Sequence, residues 1–65
     1  MKRVTRSNLL KLIDMMIEYK EQKEKDKQLL QQINEYIENV INKDKKYYSK
    51  LNRYNFTNEQ LEYLI

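Results

Sequence analysis

The stretch that decides the fold is LLQQINEYIENVI, residues 29–41. At about 100° per residue, its apolar side chains share one face of a helix and polar side chains occupy the other. The apolar face comprises Leu29, Leu30, Ile33, Tyr36, Ile37, Val40 and Ile41, with Gln31, Glu35 and Glu38 opposite. The pattern predicts an amphipathic helix packed on a core. Asn42 is the nearest residue that adopts a left-handed conformation at low cost, so we expect the helix to stop there.

A second amphipathic helix precedes this one. Its apolar face comprises Leu9, Leu10, Leu12, Ile13, Met16 and Ile17, and Lys11, Asp14 and Glu18 lie opposite. Thr5 is the predicted N-cap, and Ser7 is the alternative. Val4 and Leu9 have the spacing of a hydrophobic staple around Thr5, whereas Asn8 does not complete a capping box.

Between the two helices, the charged residues of the stretch 20–27 alternate in sign, and the apolar stripe is interrupted there. Two structures fit this stretch. The helix continues through it, supported by Glu21 and Lys25 at i,i+4, or it breaks near Asp26 to form a helical hairpin.

Two shorter helices follow residue 42. The first has an apolar face of Tyr47, Tyr48, Leu51 and Tyr54, bordered at helical spacing by Lys43, Lys46, Lys50 and Arg53. The second begins with the capping box Thr57 to Gln60, flanked by Phe56 and Leu61 as a staple, and Leu61, Leu64 and Ile65 form its apolar face.

These segments predict an all-α fold: a single small helical domain spanning residues 1–65. We expect an antiparallel helical hairpin from about residue 6 to 42, with two short C-terminal helices closing its open end. The alternative is one long helix that pairs with another copy, and the interrupted stripe between Lys20 and Lys27 argues against it. A chain of this length has a thin core, because folding removes only about 60% of its unfolded surface from water.

The composition excludes most chemistry. The chain has no Cys, His, Gly or Pro, so it lacks the usual nucleophile–base pairs, disulfides and Gly-rich phosphate loops. Asp14 with Glu18 and Glu35 with Glu38 are carboxylate pairs, but each lies on a polar face, where solvation explains it better than metal binding. We therefore predict no enzyme activity, no cofactor and no metal site.

The composition also bears on where the protein is located and on what kind of genome encodes it. No apolar run is long enough for a membrane span or a signal peptide, so we expect a cytoplasmic protein. Gly, Pro and Ala are absent while Lys, Asn, Ile and Tyr abound, which is what AT-rich codons supply. Short, basic, helical chains of this kind are often products of phages and other mobile elements.

The best positive signal for function is the basic and aromatic stripe from residue 43 to 54. Its six candidate contact residues are Lys43, Lys46, Tyr47, Lys50, Arg53 and Tyr54. We predict a protein-binding module that regulates or inhibits a host protein through this stripe. The alternative is a nucleic-acid-binding accessory protein that uses the same residues, and the third hypothesis is a self-assembling homo-oligomer. Met15, Tyr19 and Tyr63, at the edges of the apolar stripes, are further candidate contacts.

Overall fold

The structure, a computed structural model, describes residues 4–65, and the predicted all-α fold class is confirmed. Within these residues the chain forms four α-helices, one short π-helix and no strand. The α-helices are α1 (Arg6–Glu21), α2 (Lys27–Tyr36), α3 (Tyr47–Tyr54) and α4 (Asn58–Leu64). The π-helix, Ile37–Ile41, continues directly from α2.

The first helix begins where its cap was predicted. The Thr5 hydroxyl accepts a hydrogen bond from the Asn8 backbone N–H at 3.1 Å, and Ser7 lies inside α1. Val4 and Leu9 are both buried in the core, as a hydrophobic staple requires. The cap and the staple together set the direction in which the chain enters α1.

The charged stretch between the first two helices is a loop, so the continuous helix is excluded. Lys25 Nζ donates to the carbonyl oxygens of Tyr19 and Lys20, at 2.9 and 2.8 Å, and thereby satisfies the free end of α1. Asp26 then caps α2 by accepting from the Gln28 and Leu29 backbone N–H groups. The chain breaks here without Gly or Pro because side chains satisfy both helix ends.

The first two helices pack against each other, and the arrangement is compatible with the predicted antiparallel hairpin. Asn8 and Met15 of α1 and Gln32 and Tyr36 of α2 line the groove between them, and the Asn8 side chain interacts with that of Tyr36. Residues early in α1 therefore meet residues late in α2. The Tyr36 hydroxyl is enclosed in this region, and burial raises the pKa of Tyr36 while the nearby Asn8 amide opposes the rise.

The helical run formed by α2 and the π-helix stops at the predicted residue, Asn42, but in an unpredicted geometry. The Asn42 N–H donates to the Ile37 carbonyl oxygen at 2.8 Å, an i→i+5 bond that widens the last turn into a π-helix. Asn42 has φ −67°, so the prediction of a left-handed cap there was wrong. The left-handed residue is Asn55, with φ 59°, which ends α3.

The last helix follows the sequence prediction closely. Thr57 and Gln60 form a reciprocal capping box, with Gln60 N–H to Thr57 Oγ1 at 3.2 Å and Thr57 N–H to Gln60 Oε1 at 3.0 Å. Phe56 is buried and Leu61 packs beside the core, consistent with the predicted staple. The cap therefore fixes where α4 starts.

One core joins all the helices. Its buried members are Val4, Leu9, Leu12, Ile13, Leu29, Ile33, Val40, Tyr47, Leu51, Phe56 and Leu64. Three residues placed on apolar faces by the sequence are instead exposed: Leu30 at 36%, Tyr48 at 68% and Ile65 at 81%. Leu30 and Tyr48 each lie about 80° around the helix axis from the mean direction of the buried side chains of their helix, where a thin core no longer reaches them. Ile65 lies beyond the last helical residue.

Candidate protein-interaction surface

A groove of about 360 Å³ opens where the π-helix, the loop of residues 42–46 and the end of α4 meet. Ile37 and Ile41 line one wall, and Leu64 belongs to the floor. The groove is bordered by Tyr48 and Ile65, which are the two most exposed large apolar residues within residues 4–65. We call this concavity, with Tyr48, Ile65, Tyr63 and Lys45 in its lining, the docking groove. Exposed apolar groups around a concavity are typical of interaction sites.

The loop beside the docking groove is organised by Asp44. One carboxylate oxygen accepts from the Lys46 backbone N–H at 2.9 Å, and the other forms an ion pair with Lys50 Nζ at 2.6 Å. The Lys50 ammonium and then the Lys46 N–H lower the pKa of Asp44 below 3.8. The carboxylate therefore holds the loop against the start of α3, and its charge is neutralised by its own chain.

The other charged groups of this loop are basic. Lys43, Lys45 and Lys46 are exposed, and none of them has a salt bridge to an acidic side chain within residues 4–65. Lys45 lines the docking groove itself. The side of the docking groove formed by this loop is therefore positively charged.

A second groove, between α1 and α4, has the opposite character. Its lining includes Asp14, Glu59, Glu62 and Lys20. Tyr63, whose ring centre lies 6.0 Å from the Lys20 ammonium, lines both grooves. The protein thus carries a basic concavity and an acidic concavity side by side. Only the basic concavity has strongly exposed apolar residues among those the structure describes.

The structure places one predicted contact residue, Tyr47, in the interior. Tyr47 is 5% exposed, and its hydroxyl donates to the Leu64 carbonyl oxygen at 2.7 Å. Burial raises the pKa of Tyr47 to about 12, because the phenolate is poorly solvated there. Tyr47 lines the docking groove, but because it is only 5% exposed its main role there is to position Leu64, and it offers little surface to a base or a partner.

Tyr54 is also tied into the fold. Its hydroxyl donates to the Val4 carbonyl oxygen at 3.1 Å, and its ring packs edge-to-face on Phe56 with centroids 6.2 Å apart. Arg6 closes the same corner by donating to the Tyr54 carbonyl oxygen at 3.1 Å. These contacts join the start of α1 to the end of α3.

The predicted stripe is consequently divided. Helix α3 starts at Tyr47, so Lys43 and Lys46 lie in the preceding turns and do not share a helical face with Lys50 and Arg53. The expected alignment at helical spacing was wrong because Asp44 turns the chain just before α3. Lys43, Lys46 and Arg53 are exposed, whereas Lys50 is engaged by Asp44.

The residues that sequence analysis missed are Tyr48, Lys45 and Ile65. The angular position of Tyr48, about 80° around the helix axis from the mean direction of the buried side chains of α3, is the signal that identifies it. Of the three edge residues named from sequence, Tyr63 lines the docking groove. Met15 lines the groove between α1 and α2, and Tyr19 lies under the Lys25 ammonium at 5.1 Å.

No family model, curated protein sequence or solved structure matches this chain. Within residues 4–65, no helix has both the length and the apolar character needed to cross a bilayer. The same residues hold no cluster of three or more acidic side chains that would suit a metal ion.

Proposed function

We propose that this chain is a small non-enzymatic protein-binding module whose partner docks in the docking groove. The observation that carries the proposal is the combination of two exposed apolar side chains, Tyr48 and Ile65, around one concavity with one basic side. Aromatic anchors surrounded by polar rims are what protein interfaces use, and tyrosine is among the most frequent hot-spot residues. Lys43 and Lys46 from the predicted stripe lie in the loop that borders the groove.

The proposed role is that of a regulator or inhibitor encoded by a phage or other mobile element and acting on a host protein. The amino-acid composition supports this role, because a short lysine- and asparagine-rich chain without Gly, Pro or Ala fits AT-rich coding. A chain of 65 residues alters another protein most simply by occupying one of its surfaces.

The alternative, binding of nucleic acid, loses part of its support from the geometry. Base stacking needs exposed aromatic rings, and both predicted rings, Tyr47 and Tyr54, are held inward by hydrogen bonds. Lys50 is already paired with Asp44. Lys43, Lys46 and Arg53 remain as phosphate contacts, with Tyr48 as the exposed ring.

The test is affinity capture from a lysate of a low-GC bacterium with four baits, followed by quantitative mass spectrometry. The baits are the unchanged chain, Tyr48→Ser, Ile65→Ser and, as a matched control, Leu30→Ser, which removes an exposed apolar side chain from another face. We expect a host protein that is retained by the unchanged chain and the control but lost with the two groove variants. Equal retention by all four baits would contradict the proposal.

A parallel titration of labelled single-stranded and duplex DNA and RNA tests the alternative. Steeply salt-dependent binding in fluorescence anisotropy would show that several phosphates are neutralised, and it would replace the protein-binding proposal. We expect only weak binding at low salt, because the four exposed basic side chains Lys43, Lys45, Lys46 and Arg53 release few counterions.

A further inference from the structure

The geometry points to the chemistry of the partner: we propose that the docking groove binds an acidic amphipathic segment of another protein. In this inference, which rests on the proposed function, one large apolar side chain of that segment enters the groove. Carboxylates flanking it face the lysine loop, defined as residues 43–46.

Charge complementarity is the first argument. The lysine loop carries three exposed ammonium groups, while its one carboxylate, Asp44, is neutralised by Lys50. An acidic segment meets attraction along the lysine-loop side of the groove, whereas a basic segment meets repulsion there. The neighbouring acidic groove between α1 and α4 makes this charge preference a local property of the docking groove.

Shape is the second argument. A volume of about 360 Å³ lies at the lower end of concave binding sites, which suits one or two buried side chains. The walls formed by Ile37, Ile41 and Leu64 are apolar, so the anchor that they favour is a large apolar residue. Tyr48 and Ile65 then cover the anchor and exclude water around the flanking charge pairs.

Preorganisation is the third argument. Asp44 fixes the lysine loop through the Lys46 N–H and the Lys50 ammonium, and Tyr47 holds Leu64 by a buried hydrogen bond. A rigid rim and floor lower the ordering cost of binding. The π-helix, whose wide turn carries Ile37 and Ile41 into the wall, is a distortion of the kind often found at functional sites.

Two other occupants compete with this proposal. A second copy of the chain offers a shallow concavity along α2 and the π-helix, where Leu30 is exposed near Lys27, Glu35 and Glu38. That contact is head-to-tail, so it predicts concentration-dependent rings or open chains of molecules. A nucleic acid would use the lysine loop but would leave the apolar walls of the groove unoccupied. Both are outcomes of the experiment below.

The experiment is selection of random twelve-residue peptides, displayed on phage, against the immobilised full chain. Enriched peptides are then synthesised with a fluorophore and titrated by anisotropy. We expect them to combine one large apolar residue with two or more Asp or Glu. The charge variant is Lys45→Glu, and its matched control is Lys23→Glu, an exposed lysine of the loop between α1 and α2 that changes net charge equally.

Lys45→Glu is expected to weaken binding about tenfold, since an attraction at an exposed site becomes a repulsion. Lys23→Glu is expected to leave binding unchanged. Equal weakening by both variants would show that only net charge matters, and enriched peptides that are neutral or basic would also overturn the acidic partner.

The Tyr48→Ser variant distinguishes failure of this inference from failure of the proposed function. If the enriched peptides lack acidic residues but Tyr48→Ser abolishes their binding, the docking groove stands and the acidic partner falls. If Tyr48→Ser has no effect, both proposals fail. Sedimentation velocity that shows association of the unchanged chain, and its loss in Lys45→Glu, would replace the partner with a second copy.

Discussion

Replacing Tyr47 with phenylalanine removes one buried hydroxyl and leaves the packed ring in place. That hydroxyl donates to the Leu64 carbonyl oxygen at 2.7 Å and so joins α3 to the end of α4. A buried hydrogen bond between neutral groups contributes about 1 kcal/mol to the free energy of unfolding. For a domain of this size, that loss lowers the melting temperature by about 4–8 °C.

The same hydroxyl makes the free energy of unfolding depend on pH in the alkaline range. Burial raises the pKa of Tyr47 from 10.0 to about 12, so the folded state holds this proton more tightly than the unfolded chain. The stabilising contribution is therefore complete below pH 10.0 and is lost as the pH rises through about 12. Two pKa units correspond to about 3 kcal/mol, a large share of the roughly 3–10 kcal/mol typical of this chain length.

The assay is urea unfolding followed by circular dichroism from neutral pH up to strongly alkaline pH. Tyr48→Phe is the matched control, because Tyr48 is a 68% exposed neighbour on the same helix. Lysine deprotonation affects all three proteins alike and cancels in the comparison. We expect Tyr47→Phe to be less stable at neutral pH and to lose less stability in alkali. Coincident curves for Tyr47→Phe and the unchanged chain would refute the buried hydrogen bond and the docking of α4 that depends on it.

Two further predictions concern the ends of α3. Asn55→Ala should lower the free energy of unfolding by about 1 kcal/mol, because a left-handed backbone at φ 59° places the alanine Cβ against a carbonyl oxygen, whereas Asn55→Gly should not. Asp44→Asn should make the free energy of unfolding fall less steeply as the pH is lowered, which is the acid limb of the stability profile. The pKa of Asp44 is lowered in the folded state, so its stabilising contribution is present above pH 3.8 and is lost as the pH falls through the folded pKa. Urea unfolding at neutral pH measures the first, and thermal melts across an acid series measure the second.

Each of these predictions has an outcome that contradicts it. If Asn55→Ala and Asn55→Gly unfold at the same urea concentration, the left-handed conformation does not end α3 in solution. If the acid limb of Asp44→Asn has the same slope as that of the unchanged chain, Asp44 and Lys50 do not form an ion pair that matters to folding. Glu24→Gln, which likewise removes one exposed carboxylate but on another loop, controls for a general effect of charge on the acid dependence.

Much of the fold was readable from local pattern. The periodicity of residues 9–17 and 29–41 predicted two core-facing helices, and side-chain oxygens at Thr5 and Thr57 located two helix starts. These features depend on residues within one turn of each other, so a single chain in isolation carries the information. The lack of His and Cys likewise limits the chemistry open to the chain, because composition alone decides which nucleophiles and bases it has.

The candidate site was less predictable, because it depends on which edges of each apolar face the small core leaves uncovered. Leu30 and Tyr48 lie at comparable angles from their helix faces, yet only Tyr48 borders the docking groove. Lys43 and Lys46 were assigned to a helix that in fact begins after them. The reason is the Asp44 turn, whose bonds to Lys46 and Lys50 compete with helix formation in a way that periodicity does not register.

By itself, the sequence determined that the protein is all-α, that Thr5 and Thr57 cap two helix starts, and which residue types it has for function, since these follow from composition and local spacing. Tertiary structure decided the break at residues 22–26, the π-helix at Ile37–Ile41 and the burial of Tyr47. It also brought Lys45, Tyr48 and Ile65 to one groove. Packing among four short helices sets these features, because a side chain is exposed or buried according to what the other helices leave uncovered.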